Sequence, residues 1–282
     1  MVLRLQIYPS LLTLLLKIVL TKENHLMKME RVRFALRWAF GHFLVSALVA
    51  SLAACLVFLV WYPSPWRQML GVASIFVLVA VVDLVCGPLL TLVLASPHKS
   101  RRERWVDLTL VGLIQLGALG YGLHAVYSAR PVVLVFEVDR LTIVTANEVQ
   151  ADQFQAAPPG LQVFPWWGVL RVGLRPAENS NEYLDSLSLS LEGVSQSMRP
   201  NWWVPYDDQT RVAIMAKVKP LAALIGKRPQ DAAELEQAAM RAGQPIDKLF
   251  YLPLTSSTET SWIALIDASG EMVDHAPVDG FD

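Results

Sequence analysis

The sequence predicts a membrane protein of three transmembrane α-helices followed by an α+β soluble domain, and three observations carry that prediction. Of 282 residues, 54% are hydrophobic and only 17% charged, against about 45–50% and about 25% in soluble domains. The apolar excess, with a mean hydropathy of +0.39, is concentrated in long runs before residue 130. Charge divides at the same place. Residues 1–130 carry 13 Lys+Arg and 5 Asp+Glu, net +8, whereas residues 131–282 carry 11 and 20, net −9. A near-neutral total therefore conceals a basic apolar half and an acidic half of mixed polarity, and makes nucleic acid an improbable partner for the latter.

Taken in order, the first 26 residues hold an apolar stretch from Leu11 to Leu20 that is interrupted by Lys17 and is short for a span. It reads as a peripheral helix, or as lying ahead of the true start, with Met27 or Met29 as the first residue; a signal peptide fits less well because no small-residue cleavage site follows. Residues 1–37 form a basic N-terminal segment, with Lys28, Arg31, Arg33 and Arg37 just ahead of the first span. Trp38–Val60 then runs 23 residues without a formal charge, Met69–Ala95 holds only Asp83, and Leu108–Ala129 holds none. A span needs about 20 residues, so a three-helix membrane domain is expected over 38–129, with helices at 38–61, 69–95 and 105–129. The 98–104 loop is also basic. The positive-inside bias puts it and the 28–37 segment in the cytoplasm, and everything after Ala129 on the far side. Trp61, Tyr62 and Trp66 at one end, and Trp38 and Trp105 at the other, have the placement of interfacial belts.

From Pro131 the pattern turns to strands and short helices, a 130–282 domain large enough for its own core. Pro131–Thr145 is β-branched, with a turn or bulge at Asp139-Arg140. Tyr183–Met198 is ambiguous: Leu184, Leu187, Leu191, Val194 and Met198 follow helical spacing, yet Ser186–Leu191 alternates. Helices are expected at Asp208–Val218 and at Gln230–Ala242, the latter stopped by Gly243. Strands are expected at Leu249–Leu254, Ser261–Ile266 and Glu271–His275.

Asp83 most needs a reason, since an ionised carboxylate at mid-span costs roughly 2.5–3.5 kcal/mol. Gln115 lies at matching depth, about 10 residues from Trp105 as Asp83 lies about 12 from Ala95, and is the expected partner. The pair either offers a polar contact to another membrane helix or locks the second helix to the third. Gly87-Pro88 follows on the same face and should free a carbonyl near Leu84 and kink the helix. Small residues Ser46, Ala50 and Ala54, and Ala118 with Gly122, let backbones approach. The pairs Trp166-Trp167 and Trp202-Trp203 suit a recognition patch, a core or the membrane surface.

Catalytic chemistry has little support. His25, His42, His98, His124 and His275 are scattered, Cys55 and Cys86 sit in apolar runs, and there is no HExxH, CxxC, GxSxG or phosphate loop. No catalytic residue, cofactor, metal or small-molecule substrate is expected.

The basic start MKMERVRFALRWAFGHFLVSALVA, then LVFLVWYPSPW (Leu56–Trp66), DLVCGPLLTLV (Asp83–Val93) and QLGALGYGLHAVYSARPVVLVFEVDR (Gln115–Arg140), resemble the TfpX/TfpZ family of type IV pilin accessory proteins. WVPYD (Trp203–Asp207), FYLPL (Phe250–Leu254) and WIALIDASGEMV (Trp262–Val273) resemble its later landmarks more weakly. The likeness covers about residue 28 to the end, which favours Met27 or Met29 as the start. It implies a bacterial inner-membrane protein, N-terminus cytoplasmic and C-terminal domain periplasmic, acting without enzymatic chemistry in type IV pilus assembly beside the major pilin and other assembly components. Pilin subunits carry an apolar helix and a globular head, and three spans plus a domain could meet both. The alternative is a membrane-anchored periplasmic sensor; only short basic loops are available to carry its output.

Overall fold

A computed structural model describes residues 8–165 and 167–281, with side chains from Met29 onward. Helix α1 runs Tyr8–Cys55 and continues as a π-helical stretch Leu56–Trp61, a short α2 (Trp66–Met69) follows, and α3 (Val72–Leu94) and α4 (Arg101–Ser128) complete the apolar half. Among the described residues three stretches, Met29–Trp61, Val72–Leu94 and Arg101–Ser128, are long and apolar enough to cross a membrane. The segment ahead of Met29 is thus helical from Tyr8 and continuous with the first of them. Pro88 lies inside α3, whose helix persists through it to Leu94.

The second half is an eight-stranded mixed sheet. Its strands are β1 (Pro131–Glu137), β2 (Arg140–Thr145), β3 (Leu170–Leu174), β4 (Trp203–Pro205), β5 (Lys219–Pro220), β6 (Phe250–Thr255), β7 (Trp262–Ile266) and β8 (Met272–Ala276). The order is β4-β3-β1-β2-β6-β7-β8, with β5 paired to the start of β6. The Pro131–Thr145 run is a hairpin: Glu137 pairs with Arg140 across Val138-Asp139, and Val138 takes a positive φ of 59° to close the turn. β1–β3 and β2–β6 are parallel, and the other pairs antiparallel.

Four helices accompany the sheet, α5 (Ser180–Leu191), α6 (Asp208–Met215), α7 (Leu221–Lys227) and α8 (Ala232–Ala242), and the first two carry side-chain N-caps. Asn179 accepts from the Glu182 N–H and Asp207 from the Thr210 N–H, each satisfying a donor that the first helical turn leaves open. These local bonds decide the ambiguous 183–191 segment for helix. Gly243 closes α8 at φ 67°, a left-handed conformation that glycine adopts without penalty. Pro229–Asp231 forms a 3₁₀ turn, so α8 starts two residues later than the pattern suggests.

The chain divides into two compact units, residues 1–53 with 76–123, and residues 54–75 with 124–282. In the second, alternation along each strand feeds both faces of the sheet. Leu134, Phe136, Leu252, Leu254, Ala264 and Ile266 point to one side, where they meet Ile214 of α6 together with Trp66 and Met69. On the other side, Tyr251, Ile263 and Leu265 pack on Leu224, Leu235 and Ala238, while Val133, Val135, Val144 and Val172 pack on Leu161 and Trp203.

The connection between the first two apolar helices is thus part of the sheet domain. Trp66 is 6% exposed and Tyr62 2%, and the Tyr62 hydroxyl donates to the Val126 carbonyl at 2.9 Å. The expectation that these two rings form an interfacial belt is corrected: protein rather than lipid covers them, because the turn that carries them is drawn into the sheet's core.

Candidate functional site

From Asp83 onward the buried positions of α3 and of the residue that follows it are small or polar and four residues apart: Asp83, Gly87, Thr91 and Ala95. This spacing keeps them on one side of the helix. Two polar ties cross the apolar bundle from that face. The Gln115 amide of α4 donates to the Asp83 carbonyl at 2.8 Å, and His42 Nδ1 of α1 lies 2.5 Å from Thr91 Oγ1.

Gln115 therefore meets the expected residue through its backbone and not its carboxylate. The reason is Gly87. A Cβ there would collide with the Gln115 amide, so the absent side chain admits Gln115 to the helix surface one turn beyond Asp83. The carbonyl that Pro88 deprives of its donor is that of Leu84, but the cross-helix bond goes to its neighbour. Gly122 likewise lets α4 approach Val79, to within 2.8 Å of where its Cβ would sit. Ala118 is exposed and takes no part in this contact.

The Asp83 side chain is left facing a groove of about 210 Å³. His42, Ser46 and Ala50 of α1 form one wall and Gly112, Gln115 and Leu119 of α4 the other. The residue is 7% exposed. A carboxyl buried between helices offers a strong hydrogen-bonding group to whatever enters, and the low local dielectric increases the value of that bond. Sequence reading found Asp83 and Gln115 by depth and missed His42–Thr91, since a lone histidine at one end of an apolar run gives no sign of what it faces.

Opposite charges gather at the basic end of the bundle. Lys99 pairs with Asp107 at 2.6 Å, and the Arg104 guanidinium lies 5.3 Å from the Phe34 ring centre and 6.0 Å from that of Trp38. Cation–π contact of this kind suits an arginine drawn against apolar helices.

In the sheet domain the tryptophan pairs separate. Trp202 and Trp203 are buried, which corrects their expected role as a recognition surface. The guanidinium groups of Arg175 and Arg199 lie 4.6 and 5.2 Å from the Trp202 ring centre, and Trp203 donates its indole N–H to the Ser197 carbonyl at 2.9 Å. Trp167 is exposed; Trp166 lies outside the described residues.

An apolar surface that sequence reading missed lies on α5. Tyr183, Leu184, Leu187 and Leu191 form an outward stripe, while the inward face is polar. Ser186 is buried and accepts from Arg199 Nη2 at 2.5 Å and Gln196 Nε2 at 2.8 Å. Arg175 grips Glu182 with both terminal nitrogens, at 2.6 and 3.1 Å. That grip, with the Glu178 N–H, holds the Glu182 carboxyl at about 2. The helix is amphipathic in the inverted sense, anchored by its polar side, and the leucine periodicity alone would have assigned those leucines to a core.

Helices, groove and sheet domain define a class: three apolar helices with a polar group buried between them, and a mixed-sheet domain with an apolar surface of its own. No group of His, Cys, Asp or Glu among the described residues is placed to hold a metal ion. The fimbrial assembly protein FimB family matches residues 30–71, the stretch from the start of the first apolar run through the buried turn. The chain is 33% identical over 260 residues to the fimbrial assembly protein of serogroup I from Dichelobacter nodosus, covering 91% of this chain and all of that protein. It is 32% identical over 257 residues to the serogroup E1 protein, again 91% and 100%, and 40% identical over 131 residues to that of serogroups C1 and C2, covering 46% and 100%. The chain belongs to the fimbrial assembly protein family. No solved structure matches it.

Proposed function

We propose that this protein is a non-enzymatic accessory factor of type IV pilus assembly, of the TfpX/TfpZ kind, held in the bacterial inner membrane by α1, α3 and α4. Its N-terminus is cytoplasmic and its sheet domain periplasmic, and it works beside the major pilin. The carrying observation is membership of the fimbrial assembly protein family over 91% of the chain. The geometry supports the reading with two surfaces suited to the two parts of a pilin. The groove holding Asp83 and Gln115 receives the apolar helix, and the α5 stripe meets the globular head. α5 suits the second role because β3 runs parallel to β1, so Arg175, which holds the start of α5, lies toward the end of the sheet remote from Pro131.

The test replaces Asp83 by Asn in the native host and counts surface pili while blotting the membrane for both this protein and pilin. Loss of the carboxylate should reduce piliation about threefold, the equivalent of the roughly 0.6 kcal/mol of an average polar bond between membrane helices, with both proteins still in the membrane. Unchanged piliation would refute the role given to Asp83. Deletion of the gene separates the broader possibilities: pilin retained without pili places the protein at assembly, loss of pilin makes it a stabiliser, and unaltered pili favour a sensor.

A further inference from the structure

The acidic half contains one long uncharged run. From Gln153 to Leu170 there is no Asp, Glu, Lys or Arg, although residues 131–282 carry a net charge of −9. This run forms a 3₁₀ turn, Ala151–Ala156, and the loop that leads to β3. Its inner side is firmly held. Leu161 and Ala157 are buried with Val133 and Trp203, Phe154 meets Phe164 edge to face at 4.9 Å, and the Gln162 amide donates to the Ala157 carbonyl at 3.0 Å. Its outer side presents Val163 and Trp167, each 77% exposed. A loop that turns a tryptophan and a valine outward loses hydrophobic free energy unless something apolar covers them.

Position identifies the cover. The Arg130 guanidinium stacks 3.8 Å over the Tyr127 ring and lies 5.8 Å from the Phe164 ring centre. Tyr127 in turn meets Trp61 edge-on at 5.0 Å. The loop therefore sits beside the last turn of α4 and the end of the Leu56–Trp61 stretch, where two apolar helices finish in aromatic side chains. On the reading that those helices cross a bilayer, that level is the lipid interface. This zone is several Å deep on each side of the hydrocarbon, and amphipathic rings such as Trp concentrate in it.

We propose that the loop leading to β3 is a membrane-resting foot, with its described residues Val163 and Trp167 set into the lipid interface beside the helix exits. The inference rests on the membrane-spanning reading of the three helices. Because the loop carries no charge, attachment is apolar, and its depth should be the same with or without anionic lipid, unlike that of a polybasic surface segment.

The test uses the full chain in phosphatidylcholine nanodiscs, with Cys55 and Cys86 replaced by Ala and a single environment-sensitive fluorophore attached at Val163→Cys or Trp167→Cys. Both positions are exposed, so the label leaves the core intact. Val138→Cys, at the tip of the β1–β2 hairpin about 20 Å along β1 from Pro131, serves as the aqueous reference, and Leu113→Cys, exposed near the middle of α4, as the bilayer reference, read with nitroxides carried deep on the acyl chain. Labels at 163 and 167 should show blue-shifted emission, with fluorescence lost to nitroxides carried near the lipid headgroup and unaffected by adding phosphatidylglycerol. Emission matching that at 138, with 113 strongly quenched, overturns the foot while leaving the spans in place. A blue shift without lipid quenching also overturns it, assigning the patch to a protein partner or a second copy. Absence of quenching at 113 removes the membrane-spanning reading, and the foot with it.

Discussion

Replacing Trp66 by Ala distinguishes a ring buried in the sheet domain from one lying at a lipid interface. Trp66 is 6% exposed and shares a cluster with Leu134, Phe136, Leu252 and Ile266. Truncating a buried Trp to Ala removes its transfer free energy and leaves a cavity, costing about 3–5 kcal/mol. For a unit of this size each kcal/mol moves the midpoint by about 2–4 °C, so the sheet domain should melt about 6–20 °C lower. The full chain in detergent micelles, followed by near-UV circular dichroism, reads this directly, because the signal reports packed aromatic rings. Trp105→Ala is the control: that ring is 65% exposed, and its loss should leave the transition in place. A shift below about 2 °C for Trp66→Ala, less than about 1 kcal/mol, would refute the reasoning, since a core tryptophan cannot be removed so lightly.

Three further outcomes follow from particular contacts. The Glu182 carboxyl lies at about 2, against its ordinary 4.5, chiefly through the Arg175 hydrogen bonds; the unfolded chain takes up this proton first, so the stabilisation is complete above pH 4.5 and lost as pH falls toward 2. Protection factors of the α5 amides, taken relative to the intrinsic exchange rate at each pH, should fall across that window, and Glu182→Gln should abolish the dependence. Gly87→Ala should expel the Gln115 amide from the Asp83 carbonyl and cost about 0.6 kcal/mol, the average for a polar bond between membrane helices; in a double-mutant cycle the loss should vanish on a Gln115→Ala background. Gly243→Ala places a side chain at φ 67° and should lower sheet-domain stability by about 1 kcal/mol in denaturant titration.

Elements fixed by local chemistry were legible. The second and third apolar helices, the Gly243 stop and the β6–β8 strands follow from composition and spacing, and the structure places them within a few residues. What escaped depended on which side of an element meets which neighbour. Trp61, Tyr62 and Trp66 read alike as interface residues, because a sequence carries no mark of whether lipid or protein covers a ring; two of them are covered by protein. The Trp202-Trp203 pair was open to a surface, a core or a membrane role, and only the burial of both rings decides for the core. The leucines of α5 have core spacing yet face outward, since Arg175 and Arg199 bind the opposite, polar side. In the bundle, residue depth paired Asp83 with Gln115, but Gly87 decided that the bond would reach a carbonyl.

The seating of the Trp66 turn in the sheet also sets an order of events during synthesis. Trp66 lies 200 residues ahead of Ile266, its partner in the same cluster, and at about 5–20 residues per second that interval lasts about 10–40 s. Throughout it the hairpin between α1 and α3 must hold two unsatisfied apolar side chains, Trp66 and Met69, for a sheet that has not yet been made. Completion of the domain is therefore a late, long-range closure, and a fragment begun after Ser128 would build its strands around an unfilled slot.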